Sequence, residues 1–227
     1  MHTIQRHILK ILTTKTKARY KDLKPKEVAG NQFMYHLKAV MSDGYVAKAG
    51  AIYSLTIKGK MHADRVELET FLPRTQPKIV TMIYCINEKG ETLLFRRLRS
   101  PLFNLIHLPY GKMHMGESVL EAAERELKEK AGLKAHLSHR GDIYVRVYDG
   151  SELLGHILHH IFSGKNPKGT ILEKTLVGVP FWSKIEKITD EEYVGGFKEI
   201  IEIISKNKKK FFFEEFDLRL PKNNTFT

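Results

Sequence analysis

Between residues 111 and 133 the chain sets out side chains suited to holding a divalent cation against a pair of phosphates: Gly111, Glu117, Arg125, Glu126 and Glu129, closed by Gly132-Leu133. Glu126 and Glu129 are three residues apart, so on a helix they share a face. Carboxylates grouped in this way supply the hard oxygen ligands that an ion of the magnesium type takes. The ion clamps the phosphates, and one of the carboxylates or a nearby glutamate activates water. Lys130 follows Glu126 at i+4 on the same face, and an ammonium cannot ligate a cation. Its plain role is an ion pair with Glu126, worth about 0.3–0.5 kcal/mol on a helix. Its sharper role is a built-in cation that meets the diphosphate where a metal would otherwise sit. The question the residues pose is whether this site cuts a phosphoanhydride or only holds one.

These side chains need a helix to carry them and a sheet behind it. Ser118 and Glu121 make a capping box of the Ser-x-x-Glu type, which predicts a helix start. Leu120, Ala123, Leu127 and Ala131 then fall on one face that should pack on a sheet, and Gly132 is the C-cap. Residues 78–86 and 92–97 read as strands split by the turn Asn87-Glu88-Lys89-Gly90. Arg97-Leu98-Arg99-Ser100-Pro101 and Ile106-His107-Leu108-Pro109-Tyr110-Gly111 lead from them into the loop before the helix.

The 111–133 stretch resembles the Nudix box, in which Gly is followed after five residues by Glu and after seven more by Arg-Glu, an aliphatic, any residue, Glu-Glu, any residue, Gly and an aliphatic. Gly111, Glu117, Arg125, Glu126, Leu127, Glu129, Gly132 and Leu133 fit, and Lys130 stands where the last Glu is expected. Leu108-Pro109-Tyr110-Gly111-Lys112 is similar to the family's Leu-Pro-Gly-Gly-Lys lead-in. The resemblance covers residues 77 to about 205. It implies a fold that cleaves nucleoside diphosphates linked to another moiety with Mg2+ or Mn2+. By position it makes Glu126 and Glu129 metal ligands or base, with Gly111 adding its carbonyl and Arg125 orienting the glutamates. Gly111, Lys112, Glu117 and Lys130 would contact the ligand. The position of Lys130 is ordinarily a principal metal ligand; at about 4 Å in a partly shielded site a reversed charge there is worth about 4 kcal/mol. Asp149, Glu152 and Glu173 are the candidate compensating acids, none of them in a motif.

The first third has a different character. Residues 1–72 hold 13 Lys or Arg against 6 Asp or Glu, more than half of the net charge of +12. Residues 3–13 and 31–41 have helical apolar spacing, with Tyr20–Leu23 a short helix between them. Tyr45–Ala47 and Ile52–Thr56 read as strands around a Lys48-Ala49-Gly50 turn, and 61–71 as a further helix. This order resembles a winged helix-turn-helix ending in Leu55-Thr56-Ile57-Lys58-Gly59. The resemblance implies double-stranded DNA as partner, with Asn31, Gln32, Tyr35, His36 and Lys38 on the reading face and Lys15, Lys17, Arg19 and Lys48 over phosphates. Otherwise the same residues form a solvated face on a small protein-binding domain. Leu72-Pro73-Arg74-Thr75-Gln76-Pro77 is a stiff joint.

Further along, 153–162 reads as a strand in which His156 and His160 share a face that could line the ligand cleft, with His159 opposite. Thr189 and Glu192 make a second capping box, opening a helix through Ile204. Phe181 and Trp182 should be core. Phe211-Phe212-Phe213 should pack on the body or on a second subunit, and Pro221–Thr227 should be disordered.

The expected architecture is α+β: a winged helix over 1–72, a linker over 73–77, a Nudix-type α/β/α sandwich with a mixed sheet over 78–205, and an extension over 206–227. With 42% hydrophobic and 28% charged residues the chain is ordinary globular material. Its pI of ≈ 9.6 favours polyanionic partners. Cys85, the only cysteine, excludes an intrachain disulfide. That, and a sequence with neither signal peptide nor apolar span, fits the cytoplasm and no membrane. The expected function is a homodimeric regulator whose Nudix domain senses a nucleoside-diphosphate-linked compound. The alternative is a Mg2+- or Mn2+-dependent hydrolase of such a compound.

Overall fold

The computed structural model of the protein describes residues 1–100, 102–207 and 210–219. The chain divides into two compact units, Met1–Thr75 and Gln76–Thr227.

In the first unit α1 (Thr3–Thr14) buries Ile4, Ile8, Leu9 and Leu12, one stripe at helical spacing. The His2 ring caps it by accepting the Ile4 N–H at 3.2 Å. β1 (Ala18–Arg19) and α2 (Tyr20–Leu23) lead to α3 (Gly30–Ser42), which buries Phe33, Leu37 and Val40. β2 (Val46–Ala49) and β3 (Ile52–Leu55) form an antiparallel hairpin, and β1 completes a sheet of order β1-β3-β2. Ala49 pairs with Ile52, so the hairpin turns on Gly50-Ala51 rather than on 48–50. Gly50 supplies the positive φ of 59° that such a tight turn requires. The helix expected at 61–71 lies instead at α4 (Ile57–Asp64). The Thr56 hydroxyl accepts the Gly59 N–H at 3.0 Å, and this N-cap starts the helix where apolar spacing gives no sign of it.

The second unit runs β4 (Lys78–Ile86), β5 (Thr92–Arg97), β6 (Ile106–His107), β7 (Tyr110–Lys112), α5 (Val119–Ala131), β8 (Ser138–Asp149), β9 (Glu152–Lys165), β10 (Gly178–Ser183), α6 (Phe197–Lys206) and β11 (Phe212–Arg219). The sheet has the order β10-β5-β4-β9-β8-β11, with β6 beside β5 and β7 beside β4. It is mixed: β4 with β9 and β8 with β11 are parallel pairs, the remainder antiparallel. Successive side chains of a strand point to opposite faces. Ile83, Cys85 and Phe162 pack with Ala123, Leu127 and Ala131 of α5. Met82, Leu94 and Ile161 pack with Phe197, Ile200 and Ile204 of α6. The sheet is therefore covered by one helix on each face.

Several details differ from the sequence reading. Leu120 is 42% exposed, whereas Ala122 is buried. The Thr189–Glu192 box closes only a 3-10 turn, Asp190–Glu192; α6 starts at Phe197, after Gly196 has turned the chain with φ 79°. Phe181 and Trp182 lie in β10 and, as expected, pack against the core, both half-buried. The stretch after 206 is no appendage, because β11 joins the sheet beside β8. There strand alternation buries Phe212 and leaves Phe211 and Phe213 exposed. Pro101, Lys208, Lys209 and 220–227, including Pro221–Thr227, lie outside the described residues. No helix among the described residues is long and apolar enough to cross a membrane.

The packing gives a direct contrast on α5. Leu127→Ala, at 1% exposure, should cost about 2–5 kcal/mol in urea unfolding. Leu120→Ala should stay within about 0.5 kcal/mol of wild type.

Candidate functional site

The Ser118 hydroxyl accepts the Glu121 N–H at 3.2 Å, and Glu121 returns a bond from the Ser118 N–H at 2.8 Å. α5 therefore starts at a fixed point, just after Glu117. Arg125 then joins the loop to the helix. Its Nε donates to Glu117 Oε1 at 2.6 Å and its Nη2 to Glu117 Oε2 at 3.0 Å. Nη1 reaches Glu126 Oε1 at 2.7 Å and Glu129 Oε2 at 3.4 Å, and Nη2 the Lys112 carbonyl at 3.0 Å. The guanidinium, ahead of the His114 backbone bond, holds the Glu117 carboxyl down at about 2. Arg125 is in turn held protonated well above its ordinary range.

Glu126 is buried, with 5% exposure. Its Oε1 is bound by Arg125, while its Oε2 has no hydrogen-bond partner. Lys130 Nζ stands 3.9 Å from that oxygen. A Cβ on Gly111 would lie 1.9 Å from the Glu126 carboxyl, so β7 can cross this carboxylate only with a glycine there. Lys130 also lies over the Phe95 ring at 5.5 Å. Burial lowers its pKa, Glu126 opposes this, and Arg99 and Arg97 reinforce it.

Glu126, Lys130, Gly111 and Lys112 line a cavity of ≈ 730 Å³. The sequence reading missed the other cations there: Lys78 at the start of β4, Arg97 at the end of β5, and Arg99 in the loop after it. Glu126 is the only carboxylate among the described lining residues, against those three cations plus Lys112 and Lys130. The apolar wall comes from Val145 and Val147 of β8, Phe197 and Ile200 of α6, and Phe216 and Leu218 of β11. Glu117 and Glu129 do not line the cavity; they pair with Arg125, and the Glu129 side chain is 58% exposed. Asp149, Glu152 and Glu173 do not line it either.

The histidines of β9 are a correction. His159 lines the cavity, and neither His156 nor His160 does. Parity placed His156 and His160 together correctly, but the sheet turns that face away from the ligand side. His156 stacks at a tilt on Tyr144, and His160 bonds Asp142. Two further histidines line the cavity, His114 and His107, and the His107 ring nitrogen meets the Leu108 carbonyl at 2.6 Å. His107 Nε2 and His159 Nδ1 have no partner. Burial pushes both imidazoles down to about 4, so both are neutral near pH 7.

The donors around Glu126 do not suit Mg2+ or Mn2+, which take about six oxygen ligands. One unbonded carboxylate oxygen is available, it is buried, and an ammonium stands 3.9 Å from it. Glu129, the other expected ligand, belongs to Arg125 on the outer side of the helix.

In the first unit Lys15, Lys17, Arg19, Asn31, Gln32, Tyr35, Lys38 and Lys48 are all exposed. His36 is half-buried and stacked on His2, with ring centroids 4.0 Å apart.

A sandwich of this topology, with a loop-helix carboxylate cluster tied by one arginine, is the arrangement of the diphosphate-handling NUDIX fold. The family profile described as NUDIX domain matches residues 76–201, more than half of the chain, and the chain belongs to that family. Curated relatives include the human 8-oxo-dGDP phosphatase NUDT18, 33% identical over 73 residues, or 30% of this chain and 23% of that protein. They also include the ADP-ribose pyrophosphatase of Methanocaldococcus jannaschii, 30% identical over 89 residues, or 37% of this chain and 52% of that protein. The matches thus span between about a quarter and a half of these two relatives. Among solved structures, a MutT protein of Bacillus halodurans has a TM-score of 0.52 at 20% identity, covering 62% of this chain and 89% of its own. The NUDIX domain of Shewanella oneidensis NrtR, crystallised with ADP ribose, has a TM-score of 0.52 at 12% identity, covering 66% of this chain and 98% of its own. These structural likenesses are to the fold.

Gly111→Ala should displace the Glu126 carboxylate and cost about 1–3 kcal/mol of stability; thermal melts beside a crystal structure of the variant would check both. For the buried imidazoles, an unfolded chain binds protons below pH 6.5 that the folded chain refuses until about pH 4. Their contribution is therefore complete above pH 6.5 and lost as pH falls toward 4, at about 1.4 kcal/mol per pKa unit. Urea midpoints across this window should fall less steeply for His159→Asn than for wild type.

Proposed function

We propose that the second unit binds a nucleoside-diphosphate-linked compound through fixed protein cations instead of a metal ion, and acts as a ligand-sensing domain. One observation carries this: Lys130, with Arg97, Arg99, Lys78 and Lys112, surrounds a cavity whose described lining has the single carboxylate Glu126. The diphosphate would lie against Lys130, Arg97 and Arg99, and the ligand's rings against the apolar wall. Charge-assisted bonds from such cations contribute about 1.5–3 kcal/mol each. The volume suits a ligand of this class, which needs a cavity of about 300–1,000 Å³.

The first unit is proposed as a winged-helix reader of double-stranded DNA within a cytoplasmic homodimer, so that ligand occupancy alters DNA binding. Support comes from its basic surplus and from the exposed polar face of α3.

A second reading, metal-dependent hydrolysis of the same class of compound, is favoured by the retained Glu117–Arg125–Glu126–Glu129 cluster. The activities named for the curated relatives also favour it. Calorimetry and product analysis with ADP-ribose separate the two. Sensing predicts binding without Mg2+, no turnover, and at least about tenfold weaker binding for Lys130→Ala, from the loss of one charge-assisted bond. Mg2+-dependent cleavage by wild type, abolished in Glu126→Gln, would establish the hydrolase. For the DNA unit, binding to the chain's own upstream region should weaken steeply with salt and fall further in Gln32→Ala/Tyr35→Ala; a response flat in salt removes that half.

A further inference from the structure

β8 and β9 carry three side chains that the cavity does not use. In their antiparallel ladder Asp142 lies opposite His160, and His139 opposite Phe162. Residues 139 and 142 are three apart, so in an unbroken strand they would face opposite sides. The ladder passes over Arg140, a bulge between His139 and Gly141, and this re-aims His139 to the face of Asp142 and His160. The bulge is backed by β11: a Cβ on Gly141 would come within 2.3 Å of the Phe212 carbonyl oxygen, so the close approach needs glycine. His160 and His159 point to opposite faces, so this cluster is separate from the cavity that His159 lines.

The result is a convergent set of donors. His139 Nε2 is 2.8 Å and His160 Nδ1 2.7 Å from the same oxygen, Asp142 Oδ1. The donor atoms of the three side chains all lie within 4.8 Å of one another. The His139 ring is fixed by stacking on Phe162 at 4.9 Å and by the edge of Phe211 at 5.2 Å. Each side chain keeps some access to solvent, 29% for His139, 20% for Asp142 and 16% for His160.

We propose that His139 Nε2, His160 Nδ1 and Asp142 Oδ1 form a metal site for a borderline divalent transition ion of the Zn2+ type, independent of the diphosphate cavity. Zinc takes imidazole nitrogen at about 2.0–2.1 Å and carboxylate oxygen at about 2.0–2.2 Å. Donors already this close reach those distances by small side-chain rotations. Two imidazoles and one carboxylate favour such an ion over Mg2+ or Ca2+, which prefer oxygen throughout. Binding replaces the two hydrogen bonds to Asp142 Oδ1. On each imidazole the N–H bond of the ligating nitrogen breaks, an N–H bond forms on the other ring nitrogen by exchange with water, and the freed lone pair goes to the ion. Three protein ligands leave a position for water or an incoming group on the solvent side. Because the ligands must be unprotonated, binding weakens in acid.

The test uses the full chain, freed of metal and titrated with Zn2+ in excess Mg2+, with calorimetry and two-bond 1H–15N spectra of the imidazoles. One equivalent should bind, and the His139 Nε2 and His160 Nδ1 resonances should move to metal-bound positions. Glu126→Gln should leave this binding unchanged. Asp142→Asn and His139→Gln should each weaken it by more than about tenfold, since losing even an outer partner of a ligand costs that much. Should Asp142→Asn fail to fold, His139→Gln at the more exposed position decides. Ring nitrogens unmoved at saturating zinc, or zinc bound as tightly by folded His139→Gln as by wild type, would overturn the site and leave the trio as a hydrogen-bonded tie between strands.

Discussion

A carboxylate is buried in the middle of α5, whose other buried residues are alanine and leucine, and the surrounding structure is arranged to tolerate it. An ionised group removed from water is stable only if it is paired and bonded. Arg125 meets one oxygen of Glu126 and in the same grip fixes Glu117, Glu129 and the Lys112 carbonyl. Gly111 gives way so that the strand can pass. Lys130 approaches the second oxygen without reaching hydrogen-bond distance. The loop 112–117, α5 and the floor of the cavity are therefore tied through Arg125 into one electrostatic unit.

This arrangement bears on what the cavity can hold. In a carboxylate-rich site, the repulsion among the acids is relieved by an ion. Here a lysine already supplies a positive charge, and two arginines from β5 and the loop after it face the same space. The field inside favours anions before any metal arrives. An ammonium differs from a divalent ion in one further respect: it cannot lower the pKa of a bound water to make a nucleophile. Holding and cutting a phosphoanhydride thereby become separable properties of the same scaffold.

The fold of the second unit was legible because its signals are local. Short apolar runs on either side of the Asn87–Gly90 turn mark β4 and β5, the Ser118–Glu121 box marks the start of α5, and Gly132, with φ 74°, marks its end. What escaped were consequences of pairing. β8 carries Ser-His-Arg-Gly-Asp before its apolar stretch, and its bulge breaks the period that would betray a strand. His159 was assigned to the wrong side of its strand because parity defines two faces without saying which one meets the ligand. Arg97 and Arg99 enter the cavity only because β5 ends there. The Thr189 box is real as a cap but belongs to a single turn, and no composition cue separates a cap on one turn from a cap on three. In the first unit, Thr56 as the cap of α4 was hidden in a run read as the close of the hairpin.

One wall of the cavity has a temporal consequence. Phe216 and Leu218 belong to β11, which lies at the edge of the sheet and pairs in parallel with β8, some seventy residues earlier. The other described residues that line the cavity precede them in the sequence. While the nascent chain is still threaded through the ribosomal tunnel, the pocket therefore lacks a side. That wall closes in one late step, when this ribbon zips onto its neighbour.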